Sequence, residues 1–182
     1  MARQVAYGQN VLLYGSPNKI GTPDTQAIAW SIDAWCLGAD GIVPWNTIGS
    51  EKSWTEPDQT CLFYPHKDGP VPSRRLFAFT QGQQLIEYLS IYRALTEASR
   101  DAVAAALRSA VALDGALKKT SEDDAGTMNY GKVTPASLAA VRDGLGRWLG
   151  EKKPAHRAEW VERRRLKRTD DRPDSVFFAQ PR

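Results

Sequence analysis

Apolar runs and turn residues predict a strand, a helix and a second strand in the first part of the chain. The apolar run at residues 10–14 ends at a Gly-Ser-Pro turn, as buried strands do. A helix follows, with Pro23 suited to its first position, and its apolar residues cover more than one face, so Trp30 and Trp35 are expected in the core. Residues 41–45 are predicted to form the second strand. This order of elements predicts two parallel strands joined by a right-handed crossover.

The rest of the chain predicts three further helices. Apolar residues at near-helical spacing place one helix at residues 76–95, weakened by Gly82 in its first turns. An Ala-rich periodic stretch predicts a helix over residues 101–119, and a Thr-Pro start signal begins another that covers residues 134–149. Residues 120–131 are polar and contain glycine, so a loop is expected there.

The composition is that of a soluble globular protein. The 182 residues are 42% apolar and 25% charged, with a net charge of only +3. This small net charge carries no global signature of nucleic-acid binding. Basic residues nevertheless gather at residues 163–168, where a solvated helix face paired with Glu159 and Glu162 is favoured over a phosphate-binding surface.

Cysteine, histidine and the length of the apolar runs narrow the chemistry further. Cys36 and Cys61 are too few for a disulfide framework and are expected to be unpaired thiols. No cysteine or histidine spacing predicts a metal site, no cofactor is expected, and His66 is expected to be a solvated loop residue. No apolar run is long enough for a membrane span, and residues 1–10 lack a secretory apolar core. As written the chain is expected to be cytoplasmic, unless it is a piece of a longer, secreted protein.

The connection over residues 48–72 is too long for an idle loop. It contains Trp54, Phe63 and Tyr64, and residues 60–64 are predicted to form a short strand within it. Connections beyond about 12 to 15 residues are usually functional or disordered, and the aromatic residues favour order. Aromatic faces, carboxylates and arginine side chains together are what a sugar-binding surface requires.

Five residues are candidates for contact with a ligand. Trp45 and Asn46 follow the second strand, at the carboxyl end where parallel α/β folds bind their ligands, although Trp45 is equally well placed for a core role. Asp58 would accept bonds from sugar hydroxyls or cap a turn. Tyr64 would direct its hydroxyl at a ligand or at a local partner. Arg75 is expected to hold a carboxylate of the protein in a bidentate pair rather than the substrate.

Five short motifs follow one another in a fixed order between residues 11 and 95. They are Gly41 with Trp45 and Asn46, Asp58-Gln59-Thr60, Tyr64-Pro65, Ser73-Arg74-Arg75, and Gly82 with Glu87. In order and spacing they resemble the C-terminal part of the glycoside hydrolase family 123 group and its related domains of unknown function. Thr80, Leu85 and Ile86 depart from the family's helix motif, which has Arg, Asp and Tyr there, so apolar packing partly replaces a polar network.

The resemblance implies an α/β, helix-rich chain built from the last strand–helix units of an incomplete (β/α)8 barrel with a C-terminal helical extension. The barrel section would occupy residues 1–98, a helical hairpin residues 99–150, and a basic helix with a loose tail residues 151–182. A complete barrel takes roughly 250 residues. The chain is therefore expected to be the tail of a split or truncated enzyme, to pair with a missing N-terminal barrel half or with its own copies, or to repack as a smaller fold.

The resemblance also implies a chemistry, which is the retaining hydrolysis of N-acetylhexosaminides. In that family the acetamido oxygen of the substrate attacks the sugar carbon, assisted by an adjacent Asp-Glu pair. Residues 11–95 contain no such pair, so the chain is expected to contribute a carbohydrate-binding wall and no catalytic residue. The alternative is a non-catalytic helical interaction module with a basic C-terminal surface. Nucleic acid is not favoured as its partner, because no aromatic residues interleave with the basic run.

Overall fold

The computed structural model describes residues 10–56, 60–119, 121 and 127–152. In these ranges the chain forms four helices, which are α1 (Asp24–Cys36), α2 (Arg74–Thr96), α3 (Arg100–Ala110) and α4 (Pro135–Glu151). The strands of the same ranges are β1 (Leu12–Gly15), β2 (Gly41–Pro44), β3 (Phe63–Tyr64), β4 (Val71–Pro72), β5 (Ala116–Lys118) and β6 (Thr127–Asn129). A short 3-10 helix covers Glu51–Trp54.

The first strand–helix–strand unit pairs β1 with β2 in parallel. Leu12 lies opposite Gly41, and Tyr14 lies opposite Val43. The predicted order and the parallel pairing are therefore confirmed, as is the mixed α/β class. Within the described ranges the strands make three separate two-stranded sheets and no barrel. The assignment of β1 and β2 to a barrel stays a prediction.

Helix α1 is the centre of the core. Ala29 and Ile32 are fully buried, and Trp30 and Trp35 are nearly so, which confirms their predicted core positions. Burial on all sides follows from the apolar residues on more than one face of the helix. Pro23 stands at the N-cap, one place before the first helical position predicted for it.

Helix α2 packs closely against α1 at a glycine. A Cβ atom on Gly82 would lie 2.8 Å from the Cβ of Ser31, which real side chains do not tolerate. The predicted helix over residues 76–95 is confirmed, and it runs through Gly82 without a break. The glycine that lowers helix propensity is therefore the residue that lets the two backbones approach.

The predicted helix over residues 101–119 is wrong beyond Ala110. Helix α3 ends there, Ala112 adopts a left-handed backbone with φ of 51°, and β5 then pairs with β6 in an antiparallel hairpin. The prediction of a loop over residues 120–131 is wrong at β6 for the same reason. A Cβ on Gly115 would lie 2.6 Å from the Cε of Met128, so the glycine admits the hairpin. Apolar periodicity alone did not reveal this exit from the helix.

The second half of the described chain shares one core with the first. Tyr92 on α2 contacts Trp148 on α4, with ring centroids 4.8 Å apart, and Leu138 of α4 is buried in the same cluster. The predicted helix over residues 134–149 is confirmed by α4. The division of the chain into three sections stays a prediction. Residues 163–168, which carry the basic run, lie outside the described residues.

Candidate functional site

The face of the β1–β2 sheet that points away from the core is open and apolar. Leu13 and Ile42 pack against the core from the opposite face. Leu12, Tyr14 and Val43 are exposed, as alternation along a strand requires. One face of this parallel pair is thus covered by helices, whereas both faces of parallel sheets are normally covered.

Two aromatic side chains, Tyr14 and Trp45, lie where this open face ends at the carboxyl side of the strands, and we call them the strand-end surface. The exposed fraction is 65% for Tyr14 and 57% for Trp45. Their rings meet edge to face, with centroids 5.8 Å apart and an interplanar angle of 77°. A large aromatic area is therefore presented to solvent at the position that the sequence predicted for Trp45.

Hydrogen bonds hold the backbone around Trp45. Its amide donates to the carbonyl of Gly15 over 2.8 Å, and the peptide bond to Asn46 is cis. The buried side chain of Asn18 donates through Nδ2 to the carbonyls of Trp45 and Thr60. Asn18 Oδ1 has no hydrogen-bond partner among the described residues. Asn18 therefore ties the turn after β1 to the two segments that carry the candidate residues.

The segment after Trp45 runs beside β3. The carbonyl of Asn46 accepts a bond from the amide of Leu62, and Ile48 bridges Phe63 in parallel. Asn46 itself is partly buried. Tyr64 follows Phe63 directly, so this pairing brings the candidate residues on both sides of the long connection into one region.

A second aromatic pair lies on the long connection, where the ring centroids of Trp54 and Tyr64 are 5.0 Å apart. The indole Nε1 of Trp54 donates to the carbonyl of Pro65 over 2.6 Å, while half of the Trp54 surface stays exposed. Trp54 lies on an open groove, which we call the loop groove. Its lining also includes Ile48, Glu51, Pro65, His66, Lys67, Gly69 and Pro70.

Three further residues with predicted roles are Arg75, Asp58 and His66. Arg75, in the first turn of α2, donates to the carbonyl of Cys61 over 2.8 Å, and its predicted pairing with a carboxylate stays a prediction. Ser73 donates to the same carbonyl. Asp58 lies outside the described residues. His66 is exposed and accepts from the amide of Asp68 through Nδ1, an arrangement local to its turn.

Tyr14 and Asn18 were not among the residues predicted from the sequence. Strand alternation places Leu13 and Tyr14 on opposite faces, but the apolar run at residues 10–14 predicts a buried strand and does not show which face is open. Asn18 carried no comparable signal, because a polar residue after a Gly-Ser-Pro turn is typical of any loop.

A buried polar cluster on α1, α3 and the turn after β6 forms a second distinctive site, which we call the helix junction. Asp33 accepts from Arg108 Nη2 over 2.6 Å and from the hydroxyl of Tyr130 over 2.9 Å. Gln26 exchanges bonds with the backbone of Tyr130, accepting from its amide and donating to its carbonyl. Because the polar groups of this cluster are hydrogen-bonded to one another, the cluster stabilises the packing of α1 against α3 and the turn after β6.

The pKa values of the helix junction fit this structural role. Burial, reinforced by the Asp33 carboxylate, raises the pKa of the Tyr130 phenol well above its ordinary value. Burial raises the pKa of the neighbouring Cys36 thiol to about 11. Both groups are therefore protonated near neutral pH, which suits neither for nucleophilic chemistry. Cys36 and Cys61 are thiols that form no disulfide, as predicted.

Across the described ranges, no three His, Cys, Asp or Glu side chains are grouped to hold a metal ion. None of the helices in those ranges has the length and apolar character needed to cross a membrane.

The resemblance to glycoside hydrolase family 123 stays a prediction. Comparisons of the chain with protein-family models, with curated proteins and with solved structures find no match.

Proposed function

We propose that this chain is the C-terminal part of a glycoside hydrolase-like protein and contributes an aromatic wall to a carbohydrate-binding site. The observation that carries this proposal is the parallel β1–β2 pair, covered by helices on one face and open on the other, with Tyr14 and Trp45 exposed where the open face ends. Ligands of parallel α/β folds bind at this carboxyl end.

The open face has a natural place in a barrel. Barrel strands turn one face to the surrounding helices and the other to the interior, and residues at their carboxyl ends line the active site. Leu13 and Ile42 lie on the face that packs against the helices. Leu12 and Val43 lie on the open face, which would point into the barrel. The remaining strands would come from a missing barrel half or from further copies of the chain.

The chemistry of the strand-end surface suits a sugar. A sugar ring presents C–H groups on its faces and hydroxyls at its rim, so it stacks on an aromatic face and hydrogen-bonds around it. Tyr14 and Trp45 supply the aromatic faces, and the Tyr14 hydroxyl supplies a donor and acceptor. The proposed parent reaction is substrate-assisted hydrolysis of N-acetylhexosaminides, with its Asp-Glu pair outside residues 11–95.

The test is titration of the purified chain with N-acetylgalactosamine and N-acetylglucosamine, followed by tryptophan fluorescence and calorimetry. Trp45→Ala is expected to weaken sugar binding by about tenfold, because it removes the larger aromatic face. Phe77→Ala is the matched control, since Phe77 is 58% exposed but lies on α2. Equal affinities for Trp45→Ala and the wild-type chain, or an equal loss in Phe77→Ala, would contradict the proposal.

A further inference from the structure

The loop groove contains an aromatic ring whose orientation is fixed before any ligand arrives. The indole N–H of Trp54 is bound to the carbonyl of Pro65 over 2.6 Å, and the ring of Tyr64 supports it at an interplanar angle of 37°. Even so, Trp54 is 50% exposed. A ring held in this way loses little conformational freedom when a ligand stacks on it, so most of the contact energy remains available for binding.

The groove around this ring carries polar groups of both signs. Glu51 supplies carboxylate acceptors, Lys67 supplies an ammonium donor, and His66 supplies an imidazole. A mixed rim suits a neutral ligand with many hydroxyls, because each hydroxyl both donates and accepts. It suits an anionic ligand less well, since the Glu51 carboxylate would repel the anion. An aromatic platform with such a rim is the arrangement that a sugar ring requires.

The loop groove lies within reach of the strand-end surface. Ile48 bridges Phe63 in parallel, Trp45 precedes Ile48 by three residues, and Tyr64 follows Phe63 directly. Extended chain spans about 3.3 Å per residue and paired strands lie about 4.8 Å apart, so the backbones of Trp45 and Tyr64 are at most about 15 Å apart. This separation is short enough for one ligand to span, and a ligand that places one sugar ring on each of the two aromatic platforms has at least two rings.

We infer that the loop groove is a second sugar subsite and that the ligand of this protein is an oligosaccharide reaching from Trp45 to Trp54. This inference rests on the proposed function and adds the length of the ligand to it. Trp54 provides the stacking face of the second subsite, while Glu51 and Lys67 bind the hydroxyls at its rim. The first subsite remains at Tyr14 and Trp45.

The experiment measures binding of β-linked N-acetylhexosamine oligomers of one to four units to the full chain by calorimetry. The wild-type chain is expected to bind the longer oligomers more tightly than the single sugar. Trp54→Ala is expected to weaken binding of the longest oligomer about tenfold and to leave binding of the single sugar unchanged. Trp45→Ala is expected to weaken binding of both. Trp54→Phe, which keeps a stacking face, is expected to retain most of the oligomer affinity.

The outcomes separate the two proposals. Single-sugar binding with no gain in longer oligomers, or wild-type oligomer affinity in Trp54→Ala, overturns the second subsite while the proposed function stands. Absence of binding to sugars of every length overturns both. Circular dichroism shows whether Trp54→Ala keeps its fold. If it does not, Lys67→Ala removes one rim donor without disturbing the ring pair, and it is expected to weaken only oligomer binding, by a few-fold.

Discussion

The helix junction and the strand-end surface each contain one tyrosine, and the two tyrosines differ in burial and in the contacts that they make. Tyr130 is 1% exposed, and its hydroxyl donates to a buried carboxylate. Tyr14 is 65% exposed and contacts Trp45 edge to face. A buried polar group must be paired, so Tyr130 belongs to the stability of the fold. An exposed aromatic ring contributes little to stability and remains available to a ligand.

Removing the carboxylate of the helix junction is expected to have the largest effect on stability. Asp33→Ala leaves the Tyr130 hydroxyl buried without its acceptor and Arg108 without its ion-pair partner, so the free energy of unfolding should fall by about 3 kcal/mol. Chemical denaturation of the two proteins measures this difference.

Asp143→Ala is the control for that substitution. Its ion pair with Arg142 is half exposed on both sides, and exposed pairs contribute about 0 to 1 kcal/mol. If Asp143→Ala lowered the free energy of unfolding as much as Asp33→Ala, the buried cluster would contribute no more to stability than an exposed ion pair.

A second substitution examines the close packing beside the helix junction. Gly82→Ala places a methyl group 2.8 Å from the Cβ of Ser31 and should destabilise the protein by about 2 kcal/mol. Gly144→Ala, also within a helix, meets nothing within 4 Å and should stabilise it by about 0.5 to 1 kcal/mol. The opposite signs of these two changes in stability separate a packing requirement from helix propensity. Thermal unfolding measures both changes.

Alkaline pH should destabilise the fold through groups buried at and beside the helix junction. The Cys36 thiol ionises near pH 9 in the unfolded chain but near pH 11 in the folded chain. Between these values the unfolded state binds fewer protons, so the free energy of unfolding falls as pH rises. Tyr130, whose pKa is also raised, extends the fall to higher pH.

Cys36→Ala isolates the thiol contribution. Its free energy of unfolding should fall less between pH 9 and 11 than that of the wild-type chain. Parallel pH profiles for the two proteins would mean that the buried thiol does not resist ionisation.

The smallest effect on stability is expected at the strand-end surface. Trp45→Ala removes an exposed ring and one edge-to-face contact, which corresponds to less than about 1 kcal/mol. The same variant is expected to lose most of its sugar affinity. A loss of stability as large as that of Asp33→Ala would instead identify Trp45 as a structural residue and would remove the basis for a binding role.

Local pattern was sufficient for several parts of this fold. Repeated apolar positions predicted α1, α2 and α4, and the strand–helix–strand order predicted the parallel pairing of β1 with β2. These features depend on neighbouring residues and on chain connectivity, and a single sequence contains both kinds of information. The position of Trp45 at the carboxyl end of β2 follows from the same reasoning.

Long-range contacts decided the rest. The chain leaves α3 at Ala110, and Val111, Leu113 and Tyr130 beyond it are buried in the core, an outcome that no local pattern in the sequence predicts. The helix junction joins Asp33 to residues 75 and 97 positions away. The sequence alone therefore determined α1, α2, α4 and the parallel order of β1 and β2. Only the tertiary structure decided which polar groups are buried together and which aromatic rings stay exposed, since burial is a property of distant packing.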